Sequence, residues 1–284
     1  MLLAVDVGNT TTRFGLFADG DGTGASAAAA EPLGTWEVTT PERLTADEAR
    51  LSAMQALAEL PSEGGHPQDA ILSCVVPSLE APWTQALAAA TPARPLVVGP
   101  GLKTGMRLQY DDPSEIGPDR IADAVAARER YGAPAIVVDL GTTTNIEVID
   151  GAGAFAGGLI APGLALGARS LSDAAARLPV VDLRAPQHVI GKSTREAMRA
   201  GIVLGEAARI DGLLDMVASE LAVSAAHPAV LEGSGSDVLT APLPIILTGD
   251  NAAAMAAILR HEATVDDTLT LRGLAMLHRL NRRR

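Results

Sequence analysis

The fold of this chain is indicated first by the segment Leu-Ala-Val-Asp-Val-Gly-Asn-Thr-Thr at residues 3–11. An apolar run ends at Asp6, a turn containing Gly8 follows, and a second largely apolar run begins after the turn. The segment Ile-Val-Val-Asp-Leu-Gly-Thr-Thr-Thr at residues 136–144 has the same pattern. Each segment predicts a β-hairpin whose tight turn is rich in hydroxyl groups. Their repetition predicts two similar domains in one chain.

The two predicted turns suit a phosphate ligand. Glycine lets the backbone approach a ligand closely, and successive backbone N–H groups of such a turn can point at phosphate oxygens. The aspartates that close the first strands, Asp6 and Asp139, could hold a cation opposite the phosphates. Two unrelated turns built from ordinary turn residues are the alternative interpretation. The repetition of the same flanking strands favours the phosphate-binding one.

The composition excludes several classes of partner. The chain has 284 residues, of which 48% are apolar and only 2% aromatic, and its formal net charge is −12. This charge and the scarcity of stacking side chains argue against nucleic-acid binding. No segment approaches the roughly 18 apolar residues of a membrane helix, and the apolar N-terminus is too short for a signal peptide. The single cysteine, Cys74, is predicted to be buried in a strand and fits a reducing compartment, so we expect a cytoplasmic protein without a membrane partner.

Four further segments narrow the class of protein. Residues 110–120 read Tyr-Asp-Asp-Pro-Ser-Glu-Ile-Gly-Pro-Asp-Arg and lead into a predicted helix over 120–130. The other three are Gly-Gly-Leu-Ile-Ala-Pro-Gly at 157–163, Gly-Lys-Ser-Thr at 191–194 and Leu-Thr-Leu-Arg-Gly-Leu at 269–274. The segment at 191–194 is not a P-loop, because the first glycine of that motif is missing upstream. Thr194 is instead predicted to cap a following helix over 195–207.

Asp119 and Arg120 are candidates for chemistry in the first of these segments. Asp119 falls at the start of the predicted helix, where the helix dipole favours the ionised carboxylate. A general base must be in this ionised form. Arg120 could bind a carboxylate or a phosphate through two N–H groups. A helix cap beside a solvated arginine is the alternative interpretation of this motif by itself.

Taken together, these motifs resemble those of type III pantothenate kinases over nearly the whole chain. The resemblance implies an α/β fold of two ribonuclease-H-like (actin-like ATPase) domains with a nucleotide cleft between them, as in acetate and sugar kinases, Hsp70 and actin. We place these domains at residues 1–120 and 121–284, each with one phosphate-binding hairpin. The implied activity is the ATP-dependent phosphorylation of pantothenate to 4'-phosphopantothenate, the first step of coenzyme A biosynthesis, by a homodimer.

The resemblance also implies a role for each matching residue. Asp119 would be the catalytic base that takes the proton from the attacking hydroxyl. Thr142 would contact ATP, and Asp139 would bind a monovalent cation, K⁺ or NH₄⁺. The ATP phosphates, with Mg²⁺ near the first of these residues, would be held by Asp6, Val7, Gly8, Asn9, Thr10, Thr11, Thr12 and Arg13. Pantothenate would be held by Tyr110, Gly117, Pro118, Asp119, Arg120 and Thr194.

Three positions depart from the usual family pattern, namely Asp123, Asn145 and Asp250. They bear on nucleotide affinity more than on the chemical step, because the aspartates of the two hairpins and Asp119 are all present. Two alternatives stay open at this point. One is a kinase of the same fold for another small alcohol, such as a sugar. The other is a catalytically weak, nucleotide-binding regulatory relative, in which a positioned base would have no use.

Overall fold

The computed structural model of the protein describes residues 1–18, 31–61, 65–175, 177–226 and 243–282. The chain divides into two compact units. Unit 1 comprises Met1–Arg130 and Thr268–Arg284, and unit 2 comprises Tyr131–Asp267. The segments rich in Gly, Ala and Ser at 19–32 and 222–244, which the sequence predicts to be a hairpin tip and a surface loop, lie mostly outside the described residues.

The strands of the described residues fall into two sheets. They are β1 (Leu2–Val7), β2 (Thr11–Phe17), β3 (Gly34–Thr39), β4 (Asp69–Cys74), β5 (Leu96–Val97), β6 (Ala135–Leu140), β7 (Thr143–Ile149), β8 (Phe155–Pro162), β9 (Ile245–Thr248) and β10 (Thr264–Val265).

Helices connect and cover these strands. They are α1 (Ala46–Glu59), α2 (Pro77–Ala90), α3 (Pro118–Tyr131), α4 (Leu164–Ala174), α5 (Thr194–Ala226), α6 (Ala252–Ala256) and α7 (Leu269–Asn281), with a short 3₁₀ turn at Pro113–Glu115. Within the described ranges, no helix is both long and apolar enough to cross a lipid bilayer.

The sheet of unit 1 has the order β3-β2-β1-β4-β5. The first three strands are antiparallel neighbours, whereas β4 runs parallel to β1 and β5 parallel to β4. The central strand β1 is an unbroken apolar run up to Asp6 because both of its faces are covered. Three of the seven aromatic side chains meet in this core, where the ring of Phe14 lies 5.5 Å from that of Trp36 and 5.6 Å from that of Trp83.

The sheet of unit 2 has the order β8-β7-β6-β9-β10, which repeats the order of unit 1 strand for strand. Strands β6, β7 and β8 are again antiparallel, and β9 and β10 again run parallel to the first strand. One face packs against α5 and α6 through apolar side chains that include Ile210, Leu214 and Met255. The predicted duplication of an α/β unit, each beginning with a hairpin, is therefore confirmed.

The division of the chain differs from the predicted one at residues 120 and 121. Helix α3 runs unbroken from Pro118 to Tyr131, so a boundary at residue 120 would cut it in its first turn. Helix α7 contacts β1, β2 and β4, which assigns the C-terminal segment to unit 1 rather than to unit 2. A side chain at Gly273 of α7 would overlap the backbone of Ala122 in α3, so the glycine permits this close packing.

Two local predictions are corrected at the ends of helices. Ser193, not Thr194, caps α5, because Ser193 Oγ accepts a hydrogen bond from the backbone N–H of Glu196 at 3.2 Å. Thr194 is the first helical residue, and α5 continues to Ala226 instead of ending near residue 207. Cys74 is buried in β4 as predicted, and burial raises the pKa of its thiol to about 11.

Candidate active site

The turn between β1 and β2 presents the first group of predicted phosphate ligands. The backbone N–H of Gly8 donates to the carbonyl oxygen of Thr11 at 3.0 Å and closes the turn. A Cβ at Gly8 would lie 3.0 Å from the same oxygen, so the turn requires glycine at this position. Asn9 and Thr10 are exposed at the tip. The tip therefore offers backbone N–H groups and polar side chains to an anionic ligand.

Two of the residues predicted to hold phosphate have side chains that are buried at the base of this hairpin. Val7 is fully buried in the core, and Thr12 is fully buried with its hydroxyl hydrogen-bonded to that of Thr40 at 2.8 Å. The backbone N–H of Thr40 also donates to the carbonyl oxygen of Thr10 at 2.9 Å. The side chains of Val7 and Thr12 are thus unavailable to a ligand in this conformation, so the prediction that these residues contact phosphate rests on their backbone groups alone.

Asp6 lies at the end of β1, opposite Arg13 on β2 and Ser73 on β4. Its Oδ1 atom is buried and has no hydrogen-bond partner in the described part of the chain, and neither has Ser73 Oγ. Burial, and then the negative charge of Asp119, raise the pKa of Asp6 from 3.8 to about 7. The nearby Ser73 hydroxyl and the positive charge of Arg13 oppose this rise without reversing it. A buried, unpartnered carboxylate oxygen that faces a second carboxylate suits a divalent cation.

Asp119 lies in the first turn of α3, where its Oδ1 accepts a hydrogen bond from the backbone N–H of Arg120 at 2.8 Å. Burial raises the pKa of Asp119 above its ordinary value and outweighs both this hydrogen bond and the charge of Arg120. The expected effect of the helix N-terminus is therefore present but does not dominate. A raised pKa suits a general base, because proton transfer is most efficient when the pKa lies nearer the working pH.

Gly117 lets this carboxylate fold back over the chain. A Cβ at Gly117 would overlap Asp119 Oδ1, so a larger residue would push the carboxylate away. Pro118 and Ile121, on the first turn of α3, line a pocket of about 340 Å³ in unit 1. Arg120 is buried and Tyr110 is half-buried. Within unit 1, the structure thus brings Asp6 close to Asp119 and places a pocket beside the helix turn that carries Asp119.

The second hairpin presents Thr142 at its exposed tip. The backbone N–H of Gly141 donates to the carbonyl oxygen of Thr143 at 3.0 Å, and that of Gly163 donates to the carbonyl oxygen of Thr142 at 3.1 Å. A side chain at Gly163 would overlap the backbone of Gly141 and Thr142. Gly163, which the sequence presented only as part of a motif, therefore allows the start of α4 to touch this turn.

Asp139 lies at the end of β6, in register with Asn145 on β7 and Thr248 on β9. Side chains in register on neighbouring strands lie on the same face of a sheet. Asn145 Oδ1 and Thr248 Oγ1 are buried without a hydrogen-bond partner in the described structure. Gly249 has a φ of 90°, and a Cβ there would lie 2.6 Å from Asp139 Oδ1.

A carboxylate flanked by an amide oxygen and a hydroxyl oxygen fits a cation that prefers oxygen ligands. Among the residues that the structure describes, no group of three or more His, Cys, Asp or Glu side chains could hold a metal ion. The fit at Asp139 therefore depends on Asn145 and Thr248, which the sequence did not reveal as neighbours. Thr194, the last predicted site residue, is exposed at the start of α5.

Two α/β units of one strand order, each with a glycine- and hydroxyl-rich turn after a strand that ends in aspartate, define a protein of the actin-like ATPase and sugar-kinase class. The crystal structure of a Baf family transcriptional activator from Campylobacter jejuni has the same fold, with a TM-score of 0.54, 17% identity and coverage of 98% of each chain.

The family model for type III pantothenate kinase matches residues 2–216, and the chain belongs to this family. The type III pantothenate kinase of Anaeromyxobacter sp. strain K is 36% identical over 282 residues, which cover 99% of this chain and 100% of that relative. The type III pantothenate kinase of Rhodospirillum centenum is 38% identical over 285 residues and 99% of each chain. The resemblance that the motifs indicated is therefore confirmed.

Proposed function

We propose that this protein catalyses the ATP-dependent phosphorylation of pantothenate to 4'-phosphopantothenate, the first step of coenzyme A biosynthesis. The observation that carries the proposal is the pair of carboxylates Asp6 and Asp119 beside a phosphate-type turn. Burial raises the pKa of both, and the charge of Asp119 raises that of Asp6 further. A kinase needs a cation for the phosphates and a base for the acceptor hydroxyl, and this pair supplies a residue for each. The full-length match to type III pantothenate kinases indicates the acceptor.

Phosphoryl transfer depends mainly on positioning and on neutralising charge. Bound Mg²⁺ would neutralise charge on the ATP phosphates, and Asp6 is the residue to hold it. The exposed tips of the two hairpins, with Asn9 and Thr10 in one and Thr142 in the other, would hold the phosphate oxygens. Asp119 would accept the proton of the attacking hydroxyl of pantothenate. Its raised pKa makes it a stronger base than an exposed aspartate.

Pantothenate is a small molecule with a carboxylate, an amide and two hydroxyl groups. The residues proposed to hold it are Tyr110, Arg120 and Thr194, with the backbone of residues 117–118. The pocket beside the first turn of α3, at about 340 Å³, is of the size that small-molecule sites have. Support for this location comes from its position next to the proposed base.

A monovalent cation, K⁺ or NH₄⁺, is proposed to bind at Asp139. The support is the pair of buried, unpartnered oxygen atoms of Asn145 and Thr248 in register with Asp139. An unpartnered buried oxygen is costly, and a bound cation would satisfy it.

A homodimer that works in the cytoplasm is also proposed. Unit 2 exposes large apolar side chains between α4 and α5, where Val180, Val189 and Ile190 are 79%, 77% and 81% exposed. Exposed apolar surface of this kind is typical of an interface between subunits.

A regulatory relative that binds nucleotide without catalysis is the second candidate. The carboxylate pair argues against it, because a binder of phosphates gains nothing from a second carboxylate close to the first. Membership of the family argues in the same way against a kinase for a sugar.

The test is a coupled assay of ADP release with ATP, Mg²⁺ and pantothenate, in K⁺ or in Na⁺ alone. We expect pantothenate-dependent release that needs K⁺ and falls at least about 100-fold in Asp119→Asn, because a positioned base contributes that much. Asp112→Asn is the matched control, since Asp112 is an exposed carboxylate in the same segment. ATP binding without any release under either cation would contradict the proposal and favour the regulatory candidate.

A further inference from the structure

Two charged residues of α5, Glu206 and Arg209, are tied to the strands on either side of the second hairpin turn. Glu206 is buried, with 5% of its side chain exposed, and its Oε1 accepts a hydrogen bond from the hydroxyl of Thr144 at 2.6 Å. Its Oε2 lies 2.5 Å from a guanidinium nitrogen of Arg209, three residues along the helix. Thr144 is the second residue of β7, directly after the turn.

Arg209 completes the connection on the other side of the turn. The same guanidinium nitrogen donates to the carbonyl oxygen of Pro162, the last residue of β8, at 2.7 Å. The next residue, Gly163, donates its N–H to the carbonyl oxygen of Thr142 at 3.1 Å. The two side chains of α5 therefore bond β7 through Thr144 and β8 through Pro162. The turn at Thr142 lies directly next to both of these contacts.

This network is not needed to hold α5 against the sheet. Apolar side chains of the same helix, including Ala207, Ile210 and Leu214, already pack in the core of unit 2. The pair joins a buried carboxylate to a guanidinium that is one-third exposed. Such an ion pair often adds little to stability, whereas it fixes the geometry of the groups that it bonds. The groups that it bonds here are the two strand ends beside the turn.

We propose that Glu206 and Arg209 are positioning residues for the turn that carries Thr142, and that they hold it in the geometry that binds the phosphates of a nucleotide. The inference rests on the proposed function, in which Thr142 contacts ATP. Neither side chain touches the nucleotide in this proposal. Each acts through the backbone and hydroxyl groups that it bonds.

The test compares Arg209→Ala and Glu206→Gln with the wild-type protein. Glu206→Gln keeps the shape of the side chain, so it remains informative if Arg209→Ala does not fold. The first readout is the dissociation constant of ADP, measured by titration calorimetry. The second is hydrogen–deuterium exchange of the backbone N–H groups of residues 141–144. The third is the KM for ATP beside the KM for pantothenate.

In both variants we expect ADP binding about tenfold weaker, since a charge-assisted hydrogen bond is lost from the support of the turn. Exchange at residues 141–144 should be faster, and the KM for ATP should rise while the KM for pantothenate stays within about twofold. Arg260→Ala is the matched control. Arg260 forms ion pairs with Asp211 and Asp215 of α5, and neither pair reaches the hairpin. Its removal should leave the ADP affinity unchanged.

Unchanged exchange and unchanged ADP affinity in folded variants would overturn the inference. Faster exchange with unchanged ADP affinity would also overturn it, because the pair would then stabilise the hairpin without positioning a ligand. The calorimetry and exchange measurements do not need turnover. A wild-type protein that binds ADP but shows no pantothenate-dependent ADP release would therefore contradict the proposed function and leave this inference standing.

Discussion

Asp6 and Asp119 derive their properties from residues distant in the chain. Asp6 is the next-to-last residue of a buried strand, and Asp119 lies in the first turn of a helix more than a hundred residues later. Each carboxylate alone would be strongly acidic, since its ordinary pKa is 3.8. Burial raises the pKa of both, and the charge of Asp119 raises the pKa of Asp6 further. The pair therefore titrates closer to neutral pH than an exposed aspartate does. Near neutral pH, a bound cation or a transferred proton has most effect on the charge of the pair.

The stability of the protein without ligands should depend on the pH through Asp6. Its pKa is about 7 in the folded protein against 3.8 ordinarily, so between these values the folded state binds a proton more tightly than the unfolded state. The contribution of protonated Asp6 to the free energy of unfolding is complete below pH 3.8, the ordinary pKa, and is lost as the pH rises through about 7. Asp6→Asn should remove this loss and raise the free energy of unfolding at pH 8 by roughly 1–3 kcal/mol.

Urea unfolding between pH 5 and pH 8 checks this prediction for the Asp6→Asn variant. The control is Asp112→Asn, because the Ser114 hydrogen bonds lower the pKa of Asp112 and keep its titration below this range. Equal pH slopes in the wild-type protein and in Asp6→Asn would contradict the prediction.

At the level of helices and strands, the local patterns predicted most elements, and contacts between elements decided their roles. Helix α1 begins at a capping box formed by Thr45 and Glu48, which is a signal local to the sequence. The predicted helix at 120–130 is α3. The C-terminal motif at 269–274, by contrast, gave no sign that it would form a helix against β1 and α3.

The packing of α7 on α3 should depend on Gly273. A Cβ at this position would overlap the carbonyl group of Ala122, so Gly273→Ala must push the two helices apart. We expect a loss of about 1–3 kcal/mol in the free energy of unfolding, as for other overpacked cores. Because α3 also carries Asp119, the rate of ADP release should fall as well.

Chemical denaturation of Gly273→Ala is the measurement, with Gly212→Ala as the control. Gly212 lies in α5, and a Cβ there meets no atom within 4 Å. Alanine should be neutral or slightly stabilising at this helical position. A Gly273→Ala protein as stable as the wild type would show that α7 packs less closely than described.

For the molecule as a whole, duplication is the main organising feature. The two sheets share one strand order although their connections differ in length and helix content. In the hairpin that opens each unit, the next-to-last residue of the first strand is an aspartate, Asp6 in one and Asp139 in the other. Each unit therefore supplies one phosphate-type turn and one candidate cation ligand. The apolar segment between α4 and α5 belongs to unit 2 alone.

The proposed homodimer should dissociate when this segment becomes charged. Ile190 is 81% exposed, and burial of such a side chain between two subunits would stabilise the dimer. Ile190→Glu should therefore give a monomer in size-exclusion chromatography with light scattering. Leu51→Glu is the control, because Leu51 is 63% exposed on α1 of unit 1. A wild-type protein that is already monomeric would contradict the proposal.

The sequence alone determined the duplicated hairpins, the principal helices near the site and the family. These follow from alternating apolar runs, turn residues and short motifs, which are local along the chain. It also identified Asp6, Asp119, Asp139 and Thr142 as candidates, but their roles in this chain stay predictions.

Only the tertiary structure revealed what surrounds these candidates. It joined α7 to unit 1, buried Thr12, and brought Asn145 beside Asp139. It also joined Glu206 of α5 to Thr144 of the second hairpin through a hydrogen bond. The physical reason is the same in each case. Strand register, burial and the pKa of a carboxylate depend on contacts that form only when distant segments pack together. Periodicity is local to a segment, so it does not predict these contacts.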